Sequence, residues 1–194
     1  MTRNAAGLRL PLFAGLMILF IVPKVSVAQD RKYEQKALQL EKTIRQYFFD
    51  PSTDYYQEHA EKDRNKNPAS YLWPLCAMIQ ADREMELLDP SVERMPNTVR
   101  MIDRYYDSRP PAPGYASYPV ALGGGDRFYD DNQWIGIALM DSWFGRPDPA
   151  YLEKSREIYR FMMTGFDTVG GGGLHWKEND PSKNPCSNGP GVIL

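Results

Sequence analysis

The sequence predicts a mainly α-helical protein, and three observations lead to this fold class. Apolar residues recur at spacings of three and four in five segments, as they do in helices that bury one face. No stretch shows the sustained alternation of apolar and polar residues that is typical of half-buried strands. The segment from Trp134 to Phe144 is apolar on nearly all sides, which indicates a helix inside the protein rather than on its surface.

The helices are marked by their periodicity and by start and stop signals. They are predicted over residues 30–48, 71–88, 92–106, 130–145 and 148–162. Pro74 is tolerated in the first turn of the second helix, whereas Pro96 is expected to kink or delay the third. Asp148 followed by Pro149 is a typical helix start, in which an N-cap residue precedes a proline at the first helical position. The pattern of these segments predicts that outer and inner helices alternate.

Polar or glycine- and proline-rich segments join the helices and predict loops. Residues 50–68 show no periodicity, and residues 108–125 contain four prolines and three consecutive glycines, with one short extended piece around 118–122. Four glycines free the backbone of residues 170–178, where a hairpin-like loop is expected. Residues 187–190 read Ser-Asn-Gly-Pro and predict a loop that leads into a further helix.

The N-terminal residues 1–28 have the three parts of a secretory signal peptide. Two arginines give a basic start, Leu10–Val22 form an apolar core, and Ser26-Val27-Ala28 provide a small-x-small cleavage site. The apolar core is too short for a stable membrane span, although an uncleaved N-terminal anchor stays as an alternative. We therefore predict export to the periplasm, the cell surface or the medium. The remaining residues, 29–194, are enough in number for one domain.

The charges and the potential metal ligands exclude several classes of function. The formal net charge is −2 with both signs interspersed, so the chain offers no basic surface for nucleic acid or an anionic membrane. The two histidines, His59 and His175, exclude a histidine-rich metal site, and the two cysteines are not spaced as zinc ligands. Cys76 lies in an apolar helical stripe and is expected to be a buried free thiol. Cys186 lies in a loop, and a disulfide between the two stays open.

Two neighbouring carboxylates, Asp130 and Asp131, precede the fully apolar helix and are expected at the mouth of the protein interior. Consecutive Cα atoms are about 3.8 Å apart, so the carboxyl groups can adopt the separation of roughly 5–5.5 Å that retaining glycosidases use. An inverting pair, which needs room for a water, fits this adjacency less well. Two like charges this close raise the pKa of one carboxyl group, which then donates a proton while the other attacks. The alternative is that Asp130, Asp131 and Asn132 only cap the helix.

Residues 129–139 read Tyr-Asp-Asp-Asn-Gln-Trp-Ile-Gly-Ile-Ala-Leu, and this stretch resembles the active-site signature of glycoside hydrolase family 76, the endo-α-1,6-mannanases. Residues 170–178 and 187–190 resemble the second and third motifs of that family, in the same order and spacing. The resemblance implies an (α/α)6 barrel of about twelve helices, of which this chain would be an incomplete N-terminal portion of about five. It also implies that Asp130 is the nucleophile and Asp131 the acid/base.

The ligand that the resemblance implies is an α-mannan or manno-oligosaccharide, cleaved with retention and without a cofactor or metal. The candidate substrate-binding residues lie in or beside the family motifs and are Tyr71, Trp73, Tyr129, Asn132, Gln133, Trp176 and Asn188. For Trp73 and Trp176, packing in the core is an equal alternative to stacking on a sugar. For Asn132 and Gln133, a helix cap or a helix surface position is the alternative. A non-catalytic glycan-binding protein of the same fold stays as the alternative function.

Overall fold

The computed structural model describes residues 25–194, with side chains from Arg31 onward, and confirms a mainly helical protein. Its six helices are α1 (Val25–Phe48), α2 (Leu72–Leu88), α3 (Met95–Ile102), α4 (Tyr129–Gly145), α5 (Pro149–Met163) and α6 (Pro185–Ile193). The predicted signal peptide lies outside the described residues except for its last four, so it stays a prediction. None of the described helices combines the length and apolar character that crossing a membrane requires.

Three short antiparallel hairpins lie between successive helices. The first follows α1, the second follows α3 and the third follows α5. Their strands are β1 (Phe49–Asp50) with β2 (Tyr55–Tyr56), β3 (Tyr106–Asp107) with β4 (Gly114–Tyr115), and β5 (Phe166–Asp167) with β6 (Gly173–Leu174). The described chain is therefore a helix, a hairpin and a helix, repeated three times. In each repeat, the hairpin closely follows the end of the first helix, and a longer connection leads from the hairpin to the second helix.

The three hairpins share the same local hydrogen bonds. Each begins with an aromatic residue and an aspartate, whose side chain accepts a bond from the backbone two residues on, an arrangement that favours a turn. These bonds run from Ser52 N to Asp50 Oδ1 (2.9 Å), from Arg109 N to Asp107 Oδ1 (3.0 Å) and from Val169 N to Asp167 Oδ1 (2.9 Å). A further backbone bond closes each hairpin: Gln57 N to Phe48 O, Ala116 N to Tyr105 O and His175 N to Gly165 O.

The second helices of the repeats, α2, α4 and α6, run parallel to one another. The bonds between α2 and α4 advance along both helices in the same direction: Cys76 Sγ to Asp131 O (3.3 Å), Gln80 Nε2 to Trp134 O (2.6 Å) and Arg83 Nη2 to Asp141 O (3.1 Å). In α6, Gly191 lies beside Gln133, and Leu194 just after the helix lies beside Gly136. These three helices form the inner layer, and their N-terminal ends meet at one end of the protein.

The first helices of the repeats form the outer layer and run the other way. Ser155 of α5 donates to the carbonyl oxygen of Gly136 in α4 (3.1 Å), while Phe161, further along α5, packs on Tyr129 at the start of α4. A single apolar core lies between the layers. It is formed by residues such as Leu72, Leu75, Ile79, Met95, Ile102, Tyr105, Ile135, Ala138, Leu139 and Ile158. Because the layers are antiparallel, all three hairpins lie at the end where the inner helices begin.

The third predicted helix is shorter than expected. It was predicted over residues 92–106 and is observed over Met95–Ile102. Pro96 lies at the start of the helix, where its missing N–H costs no internal bond, so it delays the helix rather than kinking it. Tyr106 then opens β3 instead of ending the helix.

Two predicted loops also differ from the structure. Residues 187–190 are not a loop but belong to α6, which is a sixth helix and begins two residues earlier with Pro185. The extended piece predicted around 118–122 is wrong as well, because Val120–Leu122 form a single helical turn. The strand in this region is β4, before the expected position, and a hairpin also interrupts the predicted loop over residues 50–68.

Candidate active site

The acid pair lies in the first turn of α4, at the end of the protein where the inner helices begin. Asp130 and Asp131 are the second and third residues of the helix, and they are 8% and 7% exposed. Phe128, in extended conformation, precedes the helix and provides no side-chain cap. One oxygen of Asp130 accepts the backbone N–H of Asp131 (3.1 Å). The helix N-terminus favours negative charge here, so the pair has an electrostatic as well as a steric reason for its position.

Asp131 has the raised pKa that the sequence predicted for one member of the pair. Burial, followed by the charge of Asp130, raises its pKa from 3.8 to about 7. A carboxyl group with this pKa still holds its proton over much of the range below neutral pH, as a general acid must. The two carboxyl groups thus differ in environment, a distinction that adjacency in the sequence alone did not permit.

Two thiols flank the acid pair, and both cysteines are free in the structure. The thiol of Cys76 in α2 donates a hydrogen bond to the backbone carbonyl oxygen of Asp131 (3.3 Å). Burial, and then the charges of Asp131 and Asp130, raise the pKa of this thiol. Cys186 of α6 has its pKa raised by burial and then by hydrogen bonding with Asp130. Both thiols are therefore protonated and neutral at physiological pH, so they place no charge beside the acid pair.

Equivalent positions in the first turns of the three inner helices lie together at this end of the protein. Trp73, Asp130 and Cys186 are each the second residue of their helix, and the helices are parallel and start at the same end. Trp73 is 59% exposed, and Tyr71 just before α2 is 46% exposed, with its ring 5.4 Å from that of Tyr118. Two solvent-accessible aromatic rings thus lie at the same end as the acids, and their contact with a sugar stays a prediction.

The comparison with protein families agrees with this geometry. Residues 39–193, most of the chain, match the model of glycosyl hydrolase family 76. The chain belongs to this family. None of the curated proteins matches it significantly. The inner and outer helices described above are consistent with the α/α barrel of family 76, of which this chain forms a part.

Solved structures of family 76 proteins share the fold. A glycoside hydrolase of the family from a bovine strain of Bacteroides thetaiotaomicron has 24% sequence identity and a TM-score of 0.72 over 82% of this chain and 36% of its own. An α-mannanase from Bacteroides thetaiotaomicron has 26% identity and a TM-score of 0.64 over 77% of this chain and 40% of its own. The present chain therefore spans less than half the length of each of these two relatives.

A third relative has been solved with an oligosaccharide. The α-1,6-mannanase of Salegentibacter sp. has 22% identity and a TM-score of 0.63 over 83% of this chain and 43% of its own. An inactive variant of that enzyme, with two consecutive aspartates changed to asparagine, forms a complex with α-1,6-mannotriose. At this identity the likeness establishes a shared fold, and what it suggests about activity belongs to the proposal below.

Asn132, predicted to contact carboxyl groups or sugar hydroxyls, is fully buried in the family 76 chain. Its Oδ1 accepts the N–H of Tyr115 in β4 (2.7 Å), and its Nδ2 donates to the carbonyl oxygens of Tyr115 (2.9 Å) and Phe128 (2.8 Å). All the polar atoms of the amide are thus occupied by backbone. Asn132 thus fastens the start of α4 to the hairpin, and its contact with a substrate stays a prediction.

Asn188 was also predicted to bind substrate, and it forms the same clamp one repeat later. Its Oδ1 accepts the N–H of Leu174 in β6 (2.8 Å), and its Nδ2 donates to the carbonyl oxygens of Leu174 and Asn184 (both 3.0 Å). The side chain is half-buried, and its hydrogen-bonding atoms are used within the protein. Contact of Asn188 with a substrate likewise stays a prediction.

Tyr129 and Gln133 are buried, and contact of either side chain with a substrate stays a prediction. The ring of Tyr129 packs on Phe161, with a centroid separation of 4.9 Å, and its hydroxyl shares a hydrogen bond with Thr164 (3.2 Å). Gln133 is fully buried beside Gly191 of α6. The apolar residues that surround most of α4 explain these positions, because a helix packed on nearly all sides buries the side chains of its first turns.

Trp176 of the second family motif is half-buried and lies edge-on to Phe128, with ring centroids 5.1 Å apart. Its backbone oxygen accepts the N–H of Tyr129 (3.0 Å), so this motif forms part of the support for the start of α4. Contact between the indole ring and a sugar stays a prediction. The described residues contain no cluster of three metal-ligating side chains, and the expectation of a metal-free site stays a prediction too.

Sequence reasoning missed two polar residues next to the site. Arg127 has no solvent exposure and forms an ion pair with Glu178, which is itself nearly buried. Both residues were visible as signals, because Arg127 lies two residues before the acid-pair motif and Glu178 ends the second one. Only the fold reveals that they meet, since they lie 51 residues apart in the chain.

Proposed function

We propose that the protein containing this chain hydrolyses α-1,6-mannosidic bonds of mannan, with retention of configuration. The observation that carries the proposal is the pair of adjacent aspartates at the accessible end of a buried helix, with the pKa of Asp131 raised to about 7. Membership of family 76 supports glycoside hydrolysis as the reaction class. The relative crystallised with α-1,6-mannotriose supports mannan as the substrate class.

In the proposed first step, a carboxylate oxygen of Asp130 attacks the anomeric carbon as the bond from that carbon to the leaving oxygen breaks. Asp131 gives its proton to this oxygen and becomes a carboxylate. In the second step, Asp131 takes a proton from water while the water oxygen attacks the same carbon and displaces Asp130. Two inversions give net retention, and Asp131 ends the cycle protonated, as it began.

The assignment of the two roles follows from the environment of each carboxyl group. Asp131 is buried above Cys76, and its neighbours are neutral or negative, so it keeps its proton near neutral pH. Asp130 is then left as the nucleophile. The exposed rings of Tyr71 and Trp73 provide apolar faces of the kind on which sugar rings stack.

The test is to incubate the full-length protein with α-1,6-linked mannan and follow soluble products by chromatography, with the anomeric configuration determined by NMR. Asp130→Asn and Asp131→Asn should each abolish most turnover while binding of mannotriose persists. Asp141→Asn, at the exposed far part of the same helix, is the matched control and should retain activity. Binding of mannan by the wild-type protein without any product would instead establish a glycan-binding protein of the same fold.

We also infer that the protein is exported, as its basic start, apolar core and small-x-small site suggest. If a signal peptidase cleaves after Ala28, the mature protein begins at Gln29. Mass spectrometry of the protein recovered from its producing cells would detect this N-terminus. Recovery of an intact Met1 in the cytoplasmic fraction would overturn the inference.

A further inference from the structure

Arg127 is the largest fully buried side chain among the described residues, and its guanidinium group is surrounded by acceptors. Its Nε and Nη2 form a two-point ion pair with the carboxylate of Glu178 (2.7 and 2.5 Å). The remaining donors bind the loop between β3 and β4, at the carbonyl oxygens of Asp107 (3.2 Å), Arg109 (3.0 Å), Pro110 (3.0 Å) and Ala112 (2.8 Å). The side chain of Arg127 thus connects the loop between β3 and β4 to Glu178 of the second family motif.

The backbone next to Arg127 is held on both sides. The N–H of Glu178 donates to the carbonyl oxygen of Arg127 (3.2 Å), and the N–H of Tyr129 donates to that of Trp176 (3.0 Å). The guanidinium group also lies over the ring of Phe161 in α5, 4.8 Å from its centroid. The short segment that leads into α4 is therefore fixed to the 107–112 loop, to the outer helix and to residues 176–178.

This segment determines how the acids are presented, because Asp130 is only three residues after Arg127 and lies in the first turn of α4. We propose that Arg127, together with Glu178, is a positioning residue that sets the orientation of Asp130 and Asp131 in the active site. The inference rests on the proposed function for its catalytic consequence. Arg127 acts through the backbone and contacts neither acid directly.

The effect is geometric rather than electrostatic, since Glu178 neutralises the charge of Arg127 within the buried pair. A lysine at this position keeps the charge but loses the planar fork that binds a carboxylate and several carbonyl groups at once. The loop carbonyls would then lose their donors, and the start of α4 would loosen. Asp131 would gain contact with water.

Hydration of Asp131 has a measurable signature. The ionisable groups that face it are Asp130 on its own helix, Cys76 on α2 and, beside Asp130, Cys186 on α6; none of these is positively charged. Burial is the first cause of the raised pKa of Asp131, so admission of water lowers this pKa. A variant that is only less stable would keep the pKa of its folded fraction unchanged.

The experiment compares Arg127→Lys with Arg94→Lys in the full-length protein. Arg94 serves as the control because it is also a buried arginine in an ion pair, here with Glu41 (3.2 Å). This pair lies between α1 and the start of α3, remote from the acid pair. For Arg127→Lys we expect kcat on mannan oligosaccharides to fall by about 100-fold per folded molecule, with KM changed much less. The basic limb of the pH profile should move to lower pH, whereas Arg94→Lys should lower only the thermal midpoint.

A second readout does not depend on activity. The carboxyl group of Asp131, titrated by 13C NMR, should have a lower pKa in Arg127→Lys and in the milder Glu178→Gln than in the wild type and in Arg94→Lys. Wild-type kcat, pH profile and titration in both site variants would overturn the positioning role. If the wild-type protein is inactive on mannan but the titration shifts as expected, the proposed function fails while the positioning of Asp131 by Arg127 stands.

Discussion

Asn132 and Asn188 are each the fourth residue of an inner helix and make the same three hydrogen bonds to the hairpin and to the residue before the helix. The asparagine in each of these two motifs therefore has the same structural role, which recurs in successive repeats. Only an amide side chain can fill this role, because its oxygen must accept one hydrogen bond while its nitrogen donates two.

Replacing either asparagine with alanine should destabilise the protein. Asn132→Ala leaves the N–H and the carbonyl of Tyr115 without partners in a buried place, a loss of about 1–3 kcal/mol in the free energy of unfolding. Asn188→Ala should cost less because its site is half-buried. Denaturant titrations give these values, with the exposed Asn97→Ala as a control. An Asn132→Ala variant as stable as this control would contradict the clamp.

The raised pKa of Asp131 predicts the pH dependence of turnover. As the pH rises through about 7, Asp131 loses the proton that it must donate, so kcat/KM should fall on the basic side. The measurement is a pH–rate profile on α-1,6-mannotetraose. A profile that stays level from pH 6 to pH 9 would exclude Asp131 as the proton donor.

The same carboxyl group should make the folded state less stable at high pH. Its pKa in the folded state is raised above the ordinary value of 3.8, so its stabilising effect is complete below that value and is lost as the pH rises through about 7. Asp131→Asn removes this loss, and at pH 8 it should unfold with a free energy on the order of 1–4 kcal/mol above that of the wild type. Thermal unfolding at pH 4 and pH 8 tests this, with Asp141→Asn as the control.

Asp167 should respond to pH in the opposite sense. Hydrogen bonds from Lys183 and then from His175 lower its pKa to about 2, so its contribution to stability is present above the ordinary value of 3.8 and is lost as the pH falls through about 2. Lys183→Met removes the main cause and should move the start of acid unfolding to higher pH. Circular dichroism during acid titration is the measurement, and Lys66→Met, on an exposed lysine, is the control.

The exposed aromatic rings should contribute to binding but little to stability. Trp73→Ala should weaken mannotriose binding by roughly 10-fold, since stacking of this kind is worth about 1 kcal/mol or more, while the melting temperature changes little. Calorimetry on a background of Asp130→Asn avoids turnover. Tyr159→Ala, which removes another exposed ring on the outer helix α5, is the control. Equal affinity in the two variants would remove Trp73 from the binding surface.

A glycine packed against Tyr129 should tolerate no side chain. A Cβ at Gly165 would lie 2.3 Å from the Tyr129 ring, so Gly165→Ala must displace a buried aromatic residue and should cost about 1–3 kcal/mol. In contrast, Gly189 in α6 has open space around the same position. Gly189→Ala should be neutral or stabilising, as expected for a helix position. Urea denaturation of both variants distinguishes the two environments.

Much of the architecture could be predicted because it depends on local patterns. The start of α5 at Asp148 and Pro149 is confirmed by the bond from Ala150 N to Asp148 Oδ1 (2.8 Å), and the fully apolar segment is the most buried helix. The position of the acids at the start of that helix also followed from their order in the sequence. These features need no knowledge of distant parts of the chain.

The roles of polar residues could not be predicted, because they depend on which distant group each side chain meets. Asn132 meets a backbone group 17 residues away, and Arg127 meets a carboxylate 51 residues away. The hairpins were missed because strands of two residues are too short to show alternation. Their one local signal was an aromatic residue followed by aspartate, which occurs at Phe49, Tyr106 and Phe166 and was not recognised as a repeat.

The three hairpins differ in the number of residues between their strands, four in the first, six in the second and five in the third, although their pairing is the same. Insertions at the first and third tips would therefore change the surface at this end of the protein, whereas the second tip, whose carbonyl groups bind Arg127, should tolerate fewer changes.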